Sequence, residues 1–76
     1  MMKVYVVVAV FQDGYEEVEA MFLSEMAARN YAEDFMLLNL YWEGTHGRIE
    51  RIDIREAYVE VRETTTTVVE RGGRES

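Results

Sequence analysis

Val4-Tyr5-Val6-Val7-Val8-Ala9-Val10-Phe11 decides the fold of this chain: eight consecutive apolar residues, five of them Val. β-Branched side chains suit a pleated sheet and crowd a helix, so the segment reads as a strand. Successive strand residues point to opposite faces. Val4, Val6, Val8 and Val10 share one face; Tyr5, Val7, Ala9 and Phe11 share the other. Both faces are apolar, so both call for cover. The chain has 76 residues and owns little material for that. The strand therefore points towards a partner rather than a chemistry.

Working outward, Gln12-Asp13-Gly14 reads as a turn, because Asp-Gly between apolar segments is a strong hairpin signal. A second strand follows, half exposed and antiparallel to the first. Val18, Ala20 and Phe22 fall on one of its faces; Glu17, Glu19 and Met21 fall on the other. Ser24 is a good helix N-cap with Glu25 in the first turn. The spacing of Ala28, Tyr31, Phe35, Leu38 and Trp42 (3, 4, 3, 4) predicts a helix reaching about Trp42. Met36, Leu37, Leu40 and Tyr41 make its last turns apolar almost all round. Gly44 suits the residue just past a helix end.

From Arg48 onward Ile52 and Ile54 alternate with charges. Ala57, Val59 and Val61 alternate on the opposite parity. That phase change near Arg55-Glu56 predicts a β-bulge or two separate segments. Residues 64–69 have strong β-propensity and extend this strand or pair with another chain. Residues 1–70 form a single small α+β domain, and residues 71–76 read as a frayed tail. The expected fold is an antiparallel sheet of three to four strands in the order β-β-α-β, with one helix packed on one face.

Composition narrows the function classes. Without Cys there are no disulfides and no thiolate metal sites, and a single His rules out a multi-histidine site within one chain. No phosphate loop or dinucleotide fingerprint is present, because none of the scattered glycines opens the helix. No cofactor is expected. No apolar stretch approaches the ~20 residues of a membrane span and no secretory signal stands at the start, so the expected location is the cytoplasm. The net charge is −7. Through Gly47 eight acids face only Lys3 and Arg29, whereas from Arg48 onward seven acids nearly balance six Arg. This excess argues against direct binding to nucleic acid or an anionic membrane and leaves a basic protein surface as the matching partner.

Two residue sets stand out. Asp13, Glu16, Glu17 and Glu19 are the candidate partner contacts, although a turn residue and an outward strand face read first as solvated acids. Phe35, Leu38, Tyr41 and Trp42 are the candidates for packing or dimerisation, since surplus apolar surface on one helix wants a second neighbour. Apolar burial yields about 25 cal/mol per Å², so a few hundred Å² of contact between two copies could offset a marginal monomer. His46, in a glycine-flanked loop, reads as an exposed loop residue. Arg48, Arg51, Arg55 and Arg62 interleave with acids and read as ion pairs on a wet face.

Met21-Phe22-Leu23-Ser24-Glu25-Met26-Ala27-Ala28-Arg29-Asn30-Tyr31-Ala32, preceded by a Lys-Val-Tyr-Val strand and an acidic hairpin, resembles uncharacterised ββαβ proteins of bacteriophages and mobile elements. The likeness spans roughly residues 3 to 60 and rests on a cap and a packing face. It implies a class of small accessory proteins, some of which bind and inhibit host machinery. The expectation is therefore a non-enzymatic, homodimeric interaction module, in that setting an inhibitor of a host nucleic-acid enzyme or defence complex. The alternative is a small-molecule-binding domain with its pocket between sheet and helix or at a dimer seam.

Overall fold

The computed structural model describes residues 1–60. The expected strand over residues 64–69 and the expected tail at 71–76 lie outside them. Four strands and one helix are described: β1 Met2–Phe11, β2 Glu16–Phe22, α1 Glu25–Leu38, β3 Glu43–Gly44 and β4 Gly47–Val59. The sheet order is β2-β1-β4-β3 and every pairing is antiparallel. The α+β fold expected from the sequence is the fold observed.

The valine-rich strand takes the centre of the sheet. β2 and β4 flank it and run parallel to each other, so α1 is the crossover between them. The helix lies on the face of Tyr5, Val7, Ala9 and Phe11, opposite Ala20, Phe22, Ile52 and Ile54 in register. Val7, Ala9 and Ala28 are fully buried there, and the Phe22 and Tyr31 rings meet at 5.3 Å.

No described helix covers the other face, yet Val8 is 3% exposed and Val10 4%. Among the described residues, charged side chains span this face. Arg55 stands opposite Val6 on one side of β1, and Glu16 stands opposite Val10 on the other. Two hydrogen bonds of 2.9 and 3.0 Å join Arg55 to Glu16. The pair therefore crosses β1 over Val8. Asp53, level with Val8, accepts from Arg55 and from Arg51 at 3.0 Å each. Long side chains lay apolar stems on the valines and keep their charged ends wet.

Three local expectations are corrected. First, β2 carries an extra residue, Glu19, where Val7 pairs with Ala20 but Val8 pairs with Val18. This bulge moves Val18 to the open face beside Met21 and turns Glu17 to the helix side with Ala20 and Phe22. Second, β4 is continuous through Arg55-Glu56; its bulge is at Glu50, where Val10 pairs with Arg51 but Phe11 with Ile49. The parity switch instead records a change of apolar face. Ile52 and Ile54 point to the helix, and Ala57 and Val59 point away from it.

Third, the helix stops at Leu38, four residues short of Trp42. Ser24 caps its start as expected, its Oγ accepting the Ala27 N–H at 3.0 Å. At the other end Asn39 donates twice to the Phe35 carbonyl, from its backbone N–H at 3.1 Å and its side-chain amide at 2.8 Å. The carbonyl keeps its helical bond and gains a second donor, while the Asn39 backbone itself leaves helical geometry at φ −114° and ψ 20°. Gly44 belongs to β3, not to a helix cap.

Candidate functional site

Antiparallel pairing brings three chain reversals to one end of the sheet: the β1–β2 turn, the end of α1 and the β3–β4 turn. The β1–β2 turn is a three-residue loop. Gly14 at φ +95° donates to the Phe11 carbonyl, and Phe11 donates to the Tyr15 carbonyl. Gln12 docks it onto β4. Its N–H donates to the Arg48 carbonyl and its Oε1 accepts the Arg48 N–H, both at 3.0 Å.

His46 completes the junction. Its Nδ1 lies 2.8 Å from Asp13 Oδ2, and its ring stacks on Tyr15 at 3.8 Å and 10°. Asp13 Oδ1 accepts the Tyr15 N–H at 2.9 Å. That backbone bond first, and the His46 bond second, hold the Asp13 carboxyl below its usual range. An ionised carboxylate only accepts, so Nδ1 carries the proton. An Asp-His pair becomes catalytic when it also faces a nucleophile or a substrate. Among the described residues Asp13 is the hydrogen-bond partner of His46, and tying two turns together accounts for the pair.

Beside the junction runs an aromatic groove. Phe11 is its buried floor. Trp42 forms a wall, edge-on to Phe11 at 6.0 Å between centroids. Its inner part, about 160 Å³, is lined by Phe11, Glu17, Glu19, Phe35, Asn39, Trp42 and Ile49. It opens beside a shallow hollow bounded by Tyr15, Glu17, Trp42, Gly44, Thr45 and His46. Gly44 gives the Trp42 indole its seat here, because a Cβ at that position would overlap the ring where it now lies.

The four candidate acids do not form one cluster. Asp13 is committed to His46, and Glu16 to Arg55, which holds its carboxyl below the usual range. Glu17 and Glu19, expected on the outward face, line the groove on the helix side. Partial burial first, and then Glu17, push the Glu19 carboxyl above its usual range. Of the four apolar candidates, Phe35 and Trp42 line the groove. Leu38 and Tyr41 lie outside it, 84% and 82% exposed. No group of three or more His, Asp or Glu among the described residues could hold a metal ion. No described helix is long and apolar enough to cross a membrane.

No family model, curated protein or solved structure matches this chain. The site therefore stands on its own geometry. Sequence reading missed Phe11, Gln12, Asn39 and Ile49 as site residues. The usable signal was the pair of glycine turns at Gly14 and Gly47. Once β1 and β4 are placed side by side and antiparallel, both turns fall at the same sheet end.

Proposed function

We propose that this chain is a non-enzymatic interaction module that binds a basic surface of another protein. The observation that supports it is the composition of one end of the molecule. Leu37, Leu38, Leu40, Tyr41 and Trp42 are all exposed there, next to two groove carboxylates that have no cationic partner among the described residues. Clustered exposed apolar side chains mark interaction surfaces, and Trp and Tyr are the types that carry binding energy. The net charge of −7 steers encounter towards positive partners. Nucleic-acid enzymes and defence complexes present such surfaces. Self-association belongs to the same proposal, with Leu38 and Tyr41 as the contact between two copies.

Capture from a host lysate at low and at physiological salt tests the first part. A specific basic partner is expected at low salt, weakened as salt rises; background alone in both conditions overturns it. Sedimentation across micromolar concentrations tests the second. A dimer is expected, and a monomer throughout overturns it.

A further inference from the structure

The aromatic groove has a size and charge that select its occupant. Pockets for drug-sized ligands hold about 300–1,000 Å³; the inner groove holds about 160 Å³. That is room for one extended side chain. Phe11 floors it and Trp42 walls it, and aromatic faces attract cations, above all when they are desolvated. Glu17 and Glu19 sit on the same lining.

Each described cationic side chain is engaged elsewhere. Lys3 pairs with Glu56, Arg29 with Glu25, Arg51 with Asp53, and Arg55 with Glu16 and Asp53. Arg48 lies over the Tyr41 ring. Among the described residues no cation answers the two groove carboxylates, and burial first, then the hydrogen bond and repulsion from Glu17, push the Glu19 carboxyl up. Two like charges on one lining are a standing cost that a cation between them would remove.

We propose that this groove is the anchor point for an arginine side chain of a protein partner, held against the Trp42 wall above the Phe11 floor with its guanidinium on Glu17 and Glu19. Arginine fits better than lysine. Its flat fork pairs with two carboxylates and stacks on rings, whereas an ammonium is a compact, strongly hydrated point. The inference rests on the interaction-module reading and names the feature of the partner that the groove would grip.

The test uses the full chain and a defined probe, N-acetyl-argininamide, with the uncharged citrulline analogue as control. Trp42 is the chain's single Trp, so its emission reports on the groove directly. The expected result is saturable binding of the arginine probe and none of the citrulline probe. Glu17→Gln/Glu19→Gln should bind about tenfold more weakly, the scale of a lost charge-assisted contact. Circular dichroism checks its fold, and each single variant reads the same dependence if the double one misfolds. Equal binding of both probes, or unchanged affinity in the folded variants, overturns the proposal. So does arginine binding that appears only in a full chain with Arg71→Gln and Arg74→Gln, because the groove is then filled by the chain's own tail. Partner capture that survives in Glu17→Gln/Glu19→Gln sinks the groove but not the module. A bound arginine probe with no captured partner does the reverse.

Discussion

Arg55 is the side chain whose removal best probes how the helix-free face is kept dry. Its stem crosses β1, and its guanidinium bridges Glu16 and Asp53 at 2.9–3.0 Å. Arg55→Ala removes the cover and the ion pairs together. If it returns on the order of 40 Å² of Val8 and Val10 to water, the apolar loss is about 1 kcal/mol at about 25 cal/mol per Å². The side chains of Arg55 and Glu16 are 44% and 45% exposed, so solvent screens their pairing and the apolar loss dominates. For a domain of this size about 1 kcal/mol lowers Tm by roughly 4–8 °C.

Arg55→Met separates the two parts. It keeps an unbranched apolar stem over Val8 and loses only the charge, so it should cost about 2–4 °C. Thermal melts followed by circular dichroism, at low salt and in 1 M NaCl, measure both. High salt should narrow the gap between wild type and Arg55→Met and leave the gap between Arg55→Met and Arg55→Ala nearly unchanged. If Arg55→Met melts as low as Arg55→Ala, the charges and not the stem protect the valines, and the lid argument fails. If Arg55→Ala melts with wild type, the crossing side chain covers nothing that matters.

The two turn glycines should differ under the same substitution. Gly14 and Gly47 both have positive φ, but a Cβ at Gly14 meets open space while one at Gly47 lies 2.8 Å from Gln12 Oε1. In urea melts Gly14→Ala should cost about 1 kcal/mol of backbone strain and Gly47→Ala about 2, since it also dislodges Gln12 from Arg48. Gly44→Ala should push the Trp42 ring off its seat and alter its emission at little cost in Tm. Glu19→Gln should raise Tm by about 2 °C at pH 7, the scale of a like-charge pair, with the gain vanishing near pH 4. The sign follows from the raised Glu19 carboxyl, which destabilises the fold only where it is ionised. Asp13, Glu16 and Asp53 have the opposite sign. Their folded values are lowered, so their contribution is full above the ordinary carboxylate range of ~4 and is lost as pH falls below it. An acid titration followed by circular dichroism should show stability declining below about pH 4.

The elements were legible where the chain speaks locally. Val4 to Phe11 declared a strand, Asp13-Gly14 its turn, Ser24 the helix start, and Ala28, Tyr31 and Phe35 the packing side. What escaped depends on single residues that reset the phase. Glu19 is one extra residue in β2, and it exchanges the faces of everything before it, so alternation read straight through put Glu17 on the wrong side. The 3–4 spacing runs on unbroken to Trp42, but the Asn39 backbone leaves helical geometry and its side chain folds back on the Phe35 carbonyl, so the helix ends inside an intact pattern. The site was less legible than the fold, because Gln12 and Arg48 meet across 36 positions and only the β1–β4 register brings them together.

That register also changes what the opening strand implies. A strand apolar on both faces suggests that something must be laid over each of them. In a wide sheet that something is a helix, a second sheet or another chain. Here only β2 and β4 flank β1, so side chains from the neighbours can reach across it. Arg55 and Glu16 do so, and Val8 and Val10 are buried with no second layer among the described residues. The device works over one or two residues, since Val18 and Met21, beyond the reach of the bridge, stay exposed on the same face. The argument for a partner therefore moves away from the centre of the open face. It now rests on the far end of α1, where Leu37 and Leu38 are largely exposed and the groove carboxylates have no cationic partner among the described residues.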